Sequence, residues 1–122
     1  MSILVIENNP AELKLAQDVL RAAGYSVRGA DCAEKAFVAI QTARPEVILL
    51  DLQLPGMDGL AIARTLKAGS ATSGISIVAV TSYEDRFTKT SARQSGCDGY
   101  IVKPINTRRL PGQIAAVMHR KS

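Results

Sequence analysis

The sequence holds one histidine and two cysteines in 122 residues. Cys32, Cys97 and His119 stand far apart, and no spacing among them is that of a metal site. The two thiols are expected to remain unpaired. Long apolar runs are missing as well. No stretch approaches the roughly 18 apolar residues of a membrane-spanning helix. The N-terminus lacks the basic-then-apolar pattern of a signal peptide. A soluble, cytoplasmic protein without a membrane partner is therefore expected. No G-x-G-x-x-G follows the first apolar run and no G-x-x-x-x-G-K-[ST] occurs, which speaks against a nucleotide-dependent α/β enzyme. Internal repeats, low-complexity tracts and linkers are also absent.

What is present is enough for one packed domain over residues 1–122. Apolar residues make up 47% of the chain, too many for a disordered one. The net charge is +4, and the basic residues are dispersed apart from Arg108-Arg109 and His119-Arg120-Lys121. That pattern reads as solvated helix faces rather than a nucleic-acid site.

Five short apolar runs alternate with segments of helical spacing. Ile3 to Ile6, Tyr25 to Ala30, Val47 to Leu50, Ile75 to Val80 and Tyr100 to Val102 read as strands. Unbroken apolar runs such as Val47 to Leu50 read as buried on both faces. Leu13, Ala16, Val19, Leu20 and Ala23 fall on one helical face, as do Ala33, Ala36, Phe37 and Ile40. Gly24 ends the first helix and Pro45 follows the second. A third helix fits Leu60 to Ala68, ended by Gly69. A fourth, polar and weakly anchored, fits Glu84 to Ser95. The last carries Leu110, Ile114, Val117 and Met118 on one face. Pro111-Gly112 means that it either starts near Leu110 or kinks there. Strict alternation of strand and helix predicts a doubly wound α/β fold, with a five-stranded parallel sheet and right-handed crossovers.

In such a sheet the residues after each run gather at the carboxyl edge, where open α/β sheets bind ligands. Those residues are Glu7-Asn8, Asp51, Thr81 and Lys103. A carboxylate there can act as a nucleophile and form an aspartyl phosphate. Phosphoryl transfer needs a cation and positioned donors around the moving charge. Glu7, Asp51 and a nearby backbone carbonyl offer oxygen ligands to Mg²⁺. Lys103 offers a compact positive charge and Thr81 a hydroxyl.

These segments resemble those of bacterial response-regulator receiver domains over the whole chain. Ile3-Leu-Val-Ile-Glu-Asn-Asn-Pro resembles the acidic pocket after the first strand. Val47-Ile-Leu-Leu-Asp-Leu-Gln-Leu-Pro-Gly-Met-Asp-Gly59 resembles the phosphoacceptor segment and is the most specific match. Val78-Ala-Val-Thr-Ser-Tyr83 and Gly99-Tyr-Ile-Val-Lys-Pro-Ile105 resemble the two switch segments. The resemblance implies a flavodoxin-like sheet of order 2-1-3-4-5, with Asp51 as phosphoacceptor and Thr81 and Lys103 as phosphoryl ligands. It also implies Glu7, Asn8, Asp51 and the Gln53 backbone carbonyl around Mg²⁺, Tyr100 as the switch aromatic, and a cis bond between Lys103 and Pro104. Gln53 and Tyr83 would flank the phosphoryl group.

The implied function is a stand-alone phosphoacceptor switch of two-component phosphorelay signalling, not an enzyme acting on other substrates. Phosphate would come from a histidine kinase or histidine phosphotransfer protein, and the output would be a partner protein rather than DNA. Arg108 and Arg109 favour an acidic partner. One departure stands out. The second position of the acidic pair is Asn8, which offers an oxygen without charge. Weaker Mg²⁺ binding follows, and a phosphorylation-independent protein-binding module is the alternative reading.

Overall fold

A computed structural model describes residues 1–55, 57–82 and 86–119. The strands are β1 (Ser2–Ile6), β2 (Ser26–Ala30), β3 (Val47–Asp51), β4 (Ser76–Thr81) and β5 (Gly99–Val102). They alternate with α1 (Pro10–Ala22), α2 (Ala33–Thr42), α3 (Gly59–Ala68), α4 (Lys89–Gln94) and α5 (Leu110–His119). All five strands run parallel in the order β2-β1-β3-β4-β5, so the chain is a doubly wound, flavodoxin-like sheet as expected. A two-residue antiparallel ladder, Gln53–Leu54 with Met57–Asp58, lies between β3 and α3.

Alternation along the central strands builds two cores. Ile3, Val5, Val47, Leu49, Val78 and Val80 face one side, where Ala16 and Leu20 of α1 and Leu110, Ile114 and Val117 of α5 cover them. Leu4, Ile6, Ile48, Leu50, Ile77 and Ala79 face the other, under α2 and α3. Each fully buried Leu or Ile contributes about 1.5–3 kcal/mol. That is why the central runs are apolar without break.

The helix ends follow local chemistry. The Asn9 side chain caps α1 by accepting from the amides of Ala11 and Glu12, each at 3.0 Å, with Pro10 as the first helical residue. Gly24, with φ of 98°, turns the chain out of α1. Helix α5 starts at Leu110, so Pro111 lies in its first turn, where no intrahelical amide bond is lost.

Several boundaries differ from expectation. Asp51 and Thr81 are the last residues of their strands rather than the first beyond them. Each pairs across the sheet, Asp51 with Val80 and Thr81 with Val102, because the neighbouring strands continue to that level. Tyr25 precedes β2 rather than opening it. Helix α4 covers Lys89–Gln94, shorter than the expected Glu84 to Ser95. The Thr88 hydroxyl accepts the Ser91 amide at 3.0 Å and starts the helix there, while Phe87 is buried just before it. Glu84 lies outside the described residues.

Candidate functional site

Sheet register sets the site. Ile6 pairs with Leu50, so Glu7 comes level with Asp51 one strand away. Asp51 pairs with Val80, which puts Thr81 one step further out, and Thr81 pairs with Val102, so Lys103 follows directly. The Lys103 amide donates to the Thr81 carbonyl at 2.9 Å, and the Leu52 amide to the Val80 carbonyl at 2.9 Å. Parallel pairing therefore brings to one edge residues scattered over nearly a hundred positions.

Lys103 is the centre of charge. Its Nζ lies 2.7 Å from Glu7 Oε1, 2.8 Å from Glu12 Oε2 and 3.6 Å from Asp51 Oδ2. The side chains of Glu7, Asp51 and Lys103 are 7%, 9% and 14% exposed, so these charges meet with little water between them. Burial acts to lower the Lys103 pKa, but Glu12, Glu7 and the charge of Asp51 outweigh it and hold the ammonium above its usual range. Glu7 is shifted upward, first by burial and then by the neighbouring Asp51 and Glu12 carboxylates, against the pull of Lys103. Glu12 is shifted downward by its contacts with Glu7 and Lys103.

Oxygen donors suited to a hard cation are at hand. Glu7 Oε2 is buried and has no hydrogen-bond partner, a costly state that a cation or a proton relieves. Asp51 Oδ1 accepts the Gln53 amide at 3.0 Å, which ties the loop after β3 to the carboxylate. Asn8 and Gln53 line an adjoining open cleft of about 600 Å³ together with Leu54, Asp58 and Arg86. Asn8 is exposed there and brings no charge. Among the described residues no three acidic, thiol or imidazole groups form a closed metal cage. A cation that keeps several waters and takes one or two carboxylates does not require one.

The expected switch residues connect this edge to α4. Thr81 is fully buried. Tyr100 is half-buried against the core on the α3 side, and its hydroxyl donates to the Phe87 carbonyl. The aromatic side chain thus joins β5 to the segment that leads into α4. That helix buries only Ala92. The peptide bond between Lys103 and Pro104 is cis, as the sequence resemblance implied. Tyr83, expected to flank the phosphoryl group, lies outside the described residues. Both cysteines are free. Cys97 is buried in the core, and that burial pushes its thiol up to about 12, so it acts as packing.

Two residues escaped the sequence reading. Glu12 stands three residues after the Asn9 cap, where a glutamate ordinarily reads as half of a capping box; its carboxylate is instead on Lys103. Gly59 enters the sequence reading only as the last residue of the segment from Val47. A Cβ there would lie 2.5 Å from Leu52 Cα and 2.9 Å from the Asp51 carbonyl oxygen. Only glycine lets the start of α3 pack this closely under the loop that follows Asp51.

Comparison with known proteins agrees with this geometry. The model of the response regulator receiver domain matches residues 3–115. The polar-differentiation response regulator DivK of Brucella anthropi is 33% identical over 109 residues, which are 89% of this chain and 89% of DivK. The DNA-binding response regulator MtrA of Mycolicibacterium smegmatis is 33% identical over 118 residues, 97% of this chain; the chain spans about half of MtrA, 50% of its length. A putative response regulator from Chloroflexus aurantiacus superposes with a TM-score of 0.90 at 26% identity, covering 98% of each chain.

Proposed function

We infer that this chain, which belongs to the response regulator receiver domain family, accepts a phosphoryl group on Asp51 and thereby changes which protein it binds. The observation that carries this reading is the convergence of Asp51 with Lys103 and Glu7, 3.6 Å and 2.7 Å from the ammonium in turn, at the edge where Thr81 ends its strand. An Asp51 carboxylate oxygen attacks phosphorus. The new P–O bond forms as the donor's bond to phosphorus breaks, and the electron pair leaves with the donor: the imidazole of a kinase or phosphotransfer protein, or acetate from acetyl phosphate. Little covalent chemistry is asked of the protein, so positioning and charge do most of the catalysis. Lys103 supports the negative charge that gathers on the phosphoryl oxygens. The chain promotes only its own phosphorylation and dephosphorylation.

Glu7, Asn8, Asp51 and the Gln53 carbonyl would hold Mg²⁺, and the orphaned Glu7 Oε2 supports that fit. Bound there, the cation would neutralise charge on the phosphoryl oxygens.

The signal leaves through Thr81 and Tyr100. Phosphorylation adds about one to two negative charges and new acceptor oxygens. Thr81 turns toward them, and the Tyr100 bond to the Phe87 carbonyl carries the change to α4. Lys89, Arg93, Arg108 and Arg109 are exposed on or beside α4 and α5, which suits an acidic effector. Among the described residues no helix is long and apolar enough to cross a membrane.

Intact-mass analysis with acetyl phosphate and Mg²⁺ tests the reading. The wild type is expected to gain one phosphate and Asp51→Asn none. An unchanged wild-type mass, also with a competent phosphorylated histidine protein, would favour the alternative of a phosphorylation-independent binding module, which the uncharged Asn8 motivates.

A further inference from the structure

Lys103 has two partners closer than the phosphoacceptor, and one of them lies outside the group of strand-edge residues. Glu12 reaches it from the first turn of α1 at 2.8 Å, against 3.6 Å for Asp51. The backbone of Glu12 is fixed, because its amide donates to the Asn9 cap at 3.0 Å. Its carboxylate is the most exposed of the three that Lys103 meets, with a side chain 46% exposed where that of Glu7 is 7% and that of Asp51 is 9%. We propose that Glu12 is a positioning residue: it holds the Lys103 ammonium toward α1 in the unphosphorylated protein and yields it once Asp51 carries a phosphoryl group.

The choice of which contact yields follows from solvation. A buried carboxylate deprived of its cation loses far more than a half-exposed one, which simply turns into water. When Asp51 gains its phosphoryl charge, the contact with Glu12 is the cheapest for Lys103 to give up. The same contact competes with phosphorylation before the event, so Glu12 tunes how readily the site takes a phosphoryl group. Asn8, next to Glu7 in the chain, has no charge with which to do this.

This inference rests on the reading of Asp51 as phosphoacceptor, and the experiment separates the two. Beryllium fluoride, a phosphoryl mimic that forms on a carboxylate, is titrated calorimetrically into the full chain at saturating Mg²⁺. Glu12→Gln is expected to bind it about two- to five-fold more tightly, the range of an exposed ion pair removed as a competitor. In a Lys103→Met background the same substitution is expected to make no difference, which a merely structural role for Glu12 would not produce. In the unphosphorylated protein, NMR of the Lys103 ammonium should show faster proton exchange in Glu12→Gln. Equal or weaker binding by Glu12→Gln, the same gain with Lys103→Met, or unchanged ammonium exchange would each overturn the proposal. A wild type that neither gains phosphate nor binds beryllium fluoride would overturn the phosphoacceptor reading, and the release step with it.

Discussion

Replacing Lys103 by Met keeps the stem and removes the charge that three carboxylates share. The contacts of 2.7, 2.8 and 3.6 Å are short enough that each is worth several kcal/mol in Coulomb energy at an effective dielectric constant of about 20. Most of that is offset by the desolvation of the ions. The net loss is set by what stays behind, which is two buried carboxylates facing each other without a cation. Breaking a buried pair in this way costs about 3–5 kcal/mol, and the half-exposed Glu12 adds at most about 1 kcal/mol. The protein can limit the damage by keeping a proton on Glu7, and that makes the effect depend on pH. Glu7 has its folded-state pKa raised, so above the unfolded value the folded state holds a proton that the unfolded state has released. Stability then falls as pH rises through the window between the unfolded and folded values. Without Lys103 the folded value rises further and the window widens. Glu7 is raised to about 9 in the wild type and so keeps its proton at neutral pH with or without Lys103. In metal-free buffer, Lys103→Met should therefore lose about 3 kcal/mol at pH 10 and clearly less at pH 7. Urea unfolding followed by far-UV circular dichroism would show this as a midpoint lower by roughly 1–3 M at pH 10. Glu7→Gln should move the other way and stabilise the protein at pH 8 by about 1–2 kcal/mol, since the folded wild type must hold a proton on Glu7 at that pH that the unfolded chain releases, and glutamine is neutral in both states. A Lys103→Met protein as stable as the wild type at pH 10, or a loss equal at pH 7 and pH 10, would refute the account of Lys103 as counter-ion.

Gly59→Ala should destabilise by about 1–3 kcal/mol in the same assay, because the added Cβ meets backbone at 2.5 Å and the helix preference of alanine cannot offset that. Slower phosphate uptake should accompany it, as the displaced atoms adjoin Asp51. Asn8→Asp should lower the Mg²⁺ concentration needed for half-maximal phosphorylation several-fold, since a charged oxygen replaces a neutral one; identical titrations would show that charge at this position does not matter. In hydrogen exchange, phosphorylation should alter protection between Thr81 and Ile105, and Thr81→Ala should keep the phosphate while losing that response. A change confined to another surface would exclude this route.

Much of the fold is legible in the sequence because its cause is local and repetitive. Buried parallel strands require unbroken apolar runs, and Val47 to Leu50 and Ile77 to Val80 supply them. Amphipathic helices need apolar spacing, and Ala16 with Leu20 or Ile114 with Val117 have it. Asp51, Thr81, Lys103 and Glu7 could be named as candidates because parallel strands deliver their carboxyl ends to one edge. Where α4 begins was harder to read, since Thr88 and Phe87 decide it through a cap and a buried ring rather than through periodicity. The partners of Lys103 belong to tertiary structure alone. Glu7 and Glu12 stand 96 and 91 residues away in the chain, and nothing in the spacing of a capped helix says that its third residue will face a lysine from the far end of the sheet. Close approach at Gly59 is of the same kind, set by how the α3 start meets the loop after β3. Periodicity reports which side of an element is buried, whereas an ion pair or a missing Cβ depends on two elements meeting to within an ångström, and only the packed sheet sets that distance.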